Sequence, residues 1–349
     1  MKAVKYCGVG HLEYVDIAKP EPGPGQVLVK VEYCGICGTD VHAYKVPGIF
    51  DWELILGHES VGRVEAVGSG VTCVKVGDRV AVGPPGDCGD CYSCNTGHPN
   101  TCAHAFPETL GIGPGTQGAY AEYVLSKHPA NELFPIPDDM TWEQAVLFDV
   151  MGVGFHGVRR SDMKVGDNVV VSGCGSIGLA VIQSVKLAGA ANLIAFDVAP
   201  SRRELALKAG ADYALDPASD KDLALARKIL SHAGGAQVAF EAAGNPVSVK
   251  QCVDLTMAGG QIILVGNDGR PYEMITAALG PMEYDLKFSF TYTKEEIHTL
   301  FELIALGKLK TDIYSLEKAP LDHAIEKVEQ LAAGTLDVAR VLLKCGEES

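Results

Sequence analysis

Between residues 25 and 83 the chain runs in short valine-rich stretches. "GQVLVKVEYCGIC", "VGRVEAVG" and "DRVAVG" are bounded by Gly and Asp turns, which predicts β-strands. The pattern changes near residue 140, where "TWEQAVLFDVMGVGFHGVRRS" reads as helix. From residue 167 strands and helices alternate. "NVVVSGC" is a buried strand and "GLAVIQSVKLAGA" a helix ending in Gly. "LIAFDV" is a strand, "SRRELALKAGA" a helix, and "QVAFEAAG" and "GQIILVG" are strands. Such alternation predicts a doubly wound parallel sheet. Beyond residue 295, "KEEIHTLFELIALGK" and "LDHAIEKVEQLAAG" are helical, and "ARVLLK" is a final strand.

At 349 residues the chain is long enough for two domains. The expected division is 1–150 with 291–349 in one and 151–290 in the other. Apolar residues make up 47%, enough for sizeable cores. A net charge of −15 disfavours nucleic acid and anionic membrane surfaces as partners. The N-terminus "MKAVKYCGVGHLEYVDIAKP" has no apolar run of signal-peptide length, and no stretch approaches a membrane helix. The expectation is a cytoplasmic protein with reduced thiols.

That expectation changes the reading of "CGDCYSCNTGHPNTC". Cys88, Cys91, Cys94 and Cys102 follow C-x2-C-x2-C-x7-C. In a reducing compartment such a cluster points to metal rather than disulfides. Four thiolates close a tetrahedral structural zinc site, and they also hold iron–sulfur clusters.

"VVVSGCGSIG" contains G-x-G-x-x-G at Gly173, Gly175 and Gly178, with Ser176 and Ile177 between. A strand precedes it and a helix follows, the context a dinucleotide site requires. Asp197 ends the next strand, where an acid binds ribose hydroxyls and repels a 2′-phosphate. NAD is therefore expected over NADP. Arg202 and Arg203 follow closely, and an arginine there can accommodate that phosphate.

"CGICGTDVH" and "LGHESVG" supply Cys37, Thr39, Asp40, His42, His58 and Glu59. Cysteine, histidine and carboxylate are good zinc ligands, and a catalytic zinc keeps an open position beside three of them. With "KVGDRV", "GxGxxG", "VAFEAAGN" and the four-cysteine lobe, these motifs resemble zinc-dependent medium-chain alcohol dehydrogenases over nearly the whole chain, on the polyol (sorbitol-type) side. The resemblance implies a mostly β, GroES-like catalytic domain carrying a structural-zinc lobe, beside a Rossmann domain. It implies two zinc ions per chain, NAD, a small polyol or secondary-alcohol substrate and a homo-oligomer, dimer or tetramer.

It also implies roles. Cys37 and His58 match the first two ligands of a catalytic zinc. Asp149 stands where the family carries Cys or, in polyol dehydrogenases, usually Glu. Being one methylene shorter, it reaches the metal directly or through water, and Glu59 is a fourth or exchanging ligand. Asp40 matches the carboxylate that orients His58. Thr39 and His42 match a proton relay that runs through a cofactor ribose hydroxyl. Cys88, Cys91, Cys94 and Cys102 match the structural zinc ligands. Tyr292 is a weaker substrate-side candidate. Threonine 3-dehydrogenase is the alternative within the family, and a nonenzymatic member of the fold is the alternative outside it.

Overall fold

In the computed structural model, which describes residues 1–83, 87–266, 270–336 and 338–346, the chain divides into two units. The first holds Met1–Asp149, Thr293–Ala305 and Tyr314–Ser349; the second holds Val150–Tyr292 and Leu306–Ile313.

The first unit starts with a hairpin that the valine pattern did not single out. β1 (Lys2–Gly8) pairs antiparallel with β2 (His11–Asp16), from Lys2↔Asp16 to Tyr6↔Leu12. The register then slips to Gly8↔His11, leaving Cys7 as the extra residue of a bulge. β3 (Val27–Gly35) leaves this hairpin for a larger sheet, while β4 (Leu54–Ile55) returns to pair with β1. β5 (Ser60–Val67), β6 (Arg79–Val82), β7 (Tyr123–Ser126) and β8 (Leu133–Pro135) extend the larger sheet antiparallel. β5 buries Val64 while its neighbours Arg63 and Glu65 face water, the alternation of a sheet with one wet face.

Residues 141–161, expected as one helix, form two: Trp142–Ala145 and Phe148–Arg160. Thr141 and Gln144 close a capping box on the first. At Leu147 the backbone bond tightens to the Gln144 carbonyl three residues back, which ends that turn before the longer helix begins.

The second unit is a wholly parallel sheet of β9 (Asn168–Ser172), β10 (Asn192–Phe196), β11 (Tyr213–Leu215), β12 (Ala236–Glu241), β13 (Thr256–Leu264) and β14 (Asp285–Phe288). Its order is β11-β10-β9-β12-β13-β14, so the winding reverses between β9 and β12. Val169–Val171, Leu193–Phe196 and Val238–Phe240 are buried without alternation, as strands covered on both faces must be. The helix Ser176–Ala188 stops at Gly189, left-handed with φ 93°. The helices Pro200–Ala209, Asp220–Leu230 and Pro246–Leu255 continue the alternation; Ser219 and Asn245 cap the last two by accepting the Asp222 and Ser248 N–H groups.

β15 (Leu316–Pro320) and β16 (Arg340–Lys344) return to the first unit, giving β15-β16-β3-β5-β6-β8 with β7 also on β3. The expected catalytic segment 291–349 is thus interrupted, since residues 306–313 belong to the nucleotide-type unit. A long-range tether holds them there: Lys310 donates its N–H to Gln183 Oε1 (2.6 Å) and accepts from Gln183 Nε2 (3.1 Å).

Candidate active site

The first site is organised by a carboxylate at the start of the helix Gly38–Lys45. Asp40 is fully buried. Its Oδ2 accepts the Cys37 N–H at 3.0 Å and the Tyr120 hydroxyl at 2.7 Å. Its Oδ1 faces His58 Nδ1 at 3.7 Å. The Tyr120 hydroxyl is held well above its ordinary value, by burial first and then by the Asp40 charge, so it remains a donor. Tyr120 reaches this position because residue 57 is glycine. A side chain there would put its Cβ 2.4 Å from Tyr120 Cδ1, and its φ is 93°. The "GHE" triplet therefore needs its glycine for packing as well as its histidine for chemistry.

His58 is 5% exposed and turns Nε2 toward Glu59 Oε1 at 4.0 Å. Cys37 Sγ, a His58 ring nitrogen and a Glu59 carboxylate oxygen all lie within 4.8 Å of one another. Asp149 is outside that set. It sits, buried, in the first turn of the helix Phe148–Arg160, close enough for its charge to raise the Cys37 pKa. Thr39 Oγ1 is 3.6 Å from Cys37 Sγ, and His42 is exposed on the same helix. Cys34 packs in the hydrophobic core. Tyr292 is 1% exposed and belongs to the second unit.

Sequence reasoning missed Arg340. It opens β16, and its guanidinium forms a buried ion pair with Glu59. Gly35 leaves room for the pair, since a Cβ there would sit 2.7 Å from Glu59 Oε2. The signal in the chain is a charged residue heading the apolar run Val341–Leu343, and its partner lies 281 positions away (340 − 59).

The donor set fits a zinc-class ion. Among the described residues, Asp40 Oδ1 and His58 Nδ1 are buried with no hydrogen-bond partner. Burial pushes the Cys37 thiol up to about 11, against a smaller opposing pull from Arg340. At neutral pH it holds its proton until a cation replaces it.

The four-cysteine lobe has a different character. Sγ separations are 3.5 Å for Cys91–Cys94, 3.5 Å for Cys88–Cys102, 3.8 Å for Cys91–Cys102 and 4.0 Å for Cys88–Cys94. These are too long for disulfides. They suit a tetrahedron of ~2.3 Å zinc–sulfur bonds, whose sulfurs stand about 3.8 Å apart. Backbone N–H groups of Cys94 and Ala103 pull the Cys91 thiol down to about 6, while desolvation and then neighbouring thiols push Cys94 up to about 12. Four sulfurs so placed cannot all ionise without a cation among them.

In the second unit the three motif glycines do different work. Gly173 has φ 101° and lies against the backbone of Ala242 and Ala243. A Cβ on Gly175 would meet nothing within 4 Å, leaving the backbone open to a ligand. A Cβ on Gly178 would lie 1.9 Å from the Gly173 carbonyl, so strand and helix pack only through glycine. Ser176 and Ile177 start the helix. Asp197 is buried; its Oδ2 accepts the Cys174 N–H (2.8 Å) and its Oδ1 the Ala199 N–H (2.9 Å). A cavity of about 530 Å³ is lined by Gly173, Gly175, Asp197, Arg202, Arg227 and Asn245 among others. Arg203 instead turns back to the carbonyls of Asp197 and Val198.

Two family profiles match the chain: the alcohol dehydrogenase GroES-like domain over residues 23–138 and the zinc-binding dehydrogenase over residues 176–306. A sorbitol dehydrogenase of Bacillus subtilis is 31% identical over 348 residues, covering 97% of this chain and 96% of that one. The chain belongs to the zinc-dependent medium-chain alcohol dehydrogenases. An L-threonine 3-dehydrogenase of Stenotrophomonas maltophilia is 36% identical, over 72% of each chain. An alcohol dehydrogenase of Escherichia coli CFT073, solved with NADH, superposes on the dehydrogenase with a TM-score of 0.88, at 28% identity and 99% coverage of both chains. No helix among the described residues of the dehydrogenase is long and apolar enough to cross a membrane.

Two outcomes follow from these centres. Zinc binding at Cys37 should displace the thiol proton, so affinity should rise about tenfold per pH unit between pH 7 and 9; chelator competition measures it, and a flat profile would contradict the buried protonated thiol. Cys91→Ser should remove one zinc per chain and lower Tm by about 5–10 °C. Metal analysis beside thermal unfolding checks this, and unchanged zinc would disprove the lobe assignment.

Proposed function

We propose that the dehydrogenase interconverts a polyol, sugar alcohol or cyclitol and its ketone, with NAD as the hydride carrier and two zinc ions per chain. The observation that carries this reading is the donor set of Cys37, His58 and Glu59 with the Asp149 carboxylate beside it, in place of a second cysteine. Zinc bound there supplies Lewis acidity to the substrate oxygen. Cys37, His58 and a carboxylate would hold it, and Asp149 acts as a direct or water-bridged ligand while Glu59 exchanges between the metal and Arg340.

The remaining steps belong to side chains. Asp40 orients His58 through the Nδ1 side, so that Nε2 is the nitrogen offered to the metal. Thr39 Oγ1 would accept the substrate's hydroxyl proton while releasing its own toward a ribose hydroxyl of bound NAD, and His42, exposed on the same helix, would hand a proton on to solvent. Gly173, Gly175, Ser176, Ile177 and Gly178 seat the pyrophosphate, and Asp197 takes the ribose hydroxyls. Arg202, which lines the same cavity, packs against the adenosine end.

Cys88, Cys91, Cys94 and Cys102 bind the structural zinc. The dehydrogenase works in the cytoplasm as a homo-oligomer, dimer or tetramer. Support for self-association is the sheet edge at β14, where Phe288 and Phe290 are each 66% exposed. L-Threonine oxidation is the second reading, favoured by the similarity to the threonine enzyme.

NAD and NADP reduction measured against polyols, cyclitols, threonine and simple secondary alcohols tests the assignment. The highest kcat/KM is expected with a polyol or cyclitol and NAD; threonine ranking first would replace it. Asp197→Ala should narrow the NAD-over-NADP ratio by about tenfold or more, because the acid no longer repels a 2′-phosphate. Asp149→Ala should lower kcat by about 10- to 100-fold and reduce zinc at that site. NAD affinity, measured by fluorescence titration, should persist in that variant, and Asp149→Glu should retain most activity. Full activity in Asp149→Ala would remove this carboxylate from the metal shell.

A further inference from the structure

A third group of ligating side chains lies on the β1–β2 hairpin, on residues that neither the active site nor the four-cysteine lobe uses. Cys7 Sγ, a His11 ring nitrogen and a Glu13 carboxylate oxygen all lie within 4.8 Å of one another, and His11 Nε2 is 3.2 Å from Glu13 Oε1. The backbone explains the convergence. His11 and Glu13 are two apart on β2, so they share a face of the hairpin. Cys7 sits opposite them as the extra residue of the bulge, and such a residue is re-aimed rather than held in the ladder. Gly8, with φ 133°, makes the slip possible.

Charge favours a cation there. Lys5, the cross-strand partner of Glu13, turns its ammonium to Glu53 instead. Two carboxylates, Glu13 and Glu53, and one ammonium, Lys5, stand close enough to act on the Cys7 thiol, which leaves its surroundings net negative. One thiolate, one imidazole and one carboxylate suit a zinc-class ion of borderline softness with water in the fourth position. Calcium and magnesium, which want oxygen ligands alone, are poor occupants.

We propose that Cys7, His11 and Glu13 form a third metal site on the β1–β2 hairpin, one that takes zinc or a similar divalent transition ion. All three ligands come from one hairpin, so binding needs no rearrangement elsewhere. His11 is 59% exposed and Glu13 49%, so the ion exchanges with solvent more readily than one at Cys37.

The test uses the full chain with its resident metals, dialysed to equilibrium against Zn²⁺ at fixed free concentration. Wild type should carry one zinc more per chain than either Cys7→Ser or His11→Ala. The double variant should lose no more than either single one, because both remove the same ion. Alcohol oxidation and Tm in zinc-free buffer should match wild type, which separates loss of a site from loss of the fold. Equal zinc in wild type and Cys7→Ser overturns the proposal. So does a loss in His11→Ala that Cys7→Ser does not share, which would mean adventitious binding to surface histidine.

Discussion

A carboxylate with no access to water is costly unless its oxygens are bonded, and Asp40 is such a group. The Cys37 N–H and the Tyr120 hydroxyl satisfy one oxygen, and His58 faces the other. Those three contacts draw together the helix start at Gly38, the "GHE" triplet and a tyrosine from beyond the cysteine lobe. The glycine at 57 is part of the same constraint, because any side chain there would push Tyr120 off Asp40. Asp40 thus fixes Cys37 through a hydrogen bond and keeps its second oxygen facing the His58 imidazole.

The two cysteine-bearing centres of the first unit solve opposite electrostatic problems. At Cys37, burial holds the thiol protonated, and a cation must displace that proton. The surrounding charges are individually compensated: Glu59 by Arg340, Asp40 by its donors. In the lobe backbone N–H groups already point at the sulfurs, and they pull the Cys91 thiol down. A metal there holds a loop together, as structural zinc does when it contributes folding energy outright. A metal at Cys37 sits in a pocket whose shape is set without it.

The nucleotide unit shows how little side chain a dinucleotide site needs. Gly178 permits the helix to touch the strand, Gly173 makes the turn, and Gly175 leaves backbone exposed to the ligand. Asp197 is fixed by two backbone donors before any ribose arrives, so its charge is preorganised rather than recruited. Arg203 is occupied by carbonyls and only Arg202 of the pair faces the cavity.

Periodicity and spacing alone determined the strand-then-alternating order, the dinucleotide turn and the metal character of the four-cysteine run. Those features are local: a turn glycine, a ligand spacing and a valine run act within a few residues of one another. Motif resemblance added Cys37, His58, Glu59 and Asp149 as one group, and only tertiary structure could say which carboxylate approaches the thiol and imidazole. Glu59 does so as the neighbour of His58 on the chain, while Asp149 depends on where a distant helix begins. Arg340, the bulge that brings Cys7 to His11, and the return of residues 306–313 to the nucleotide unit were all decided by packing. Each depends on long-range pairing or on a single slipped register, and a side chain's partner across a sheet is set by strand order and register, which leave no mark at any fixed spacing in the sequence.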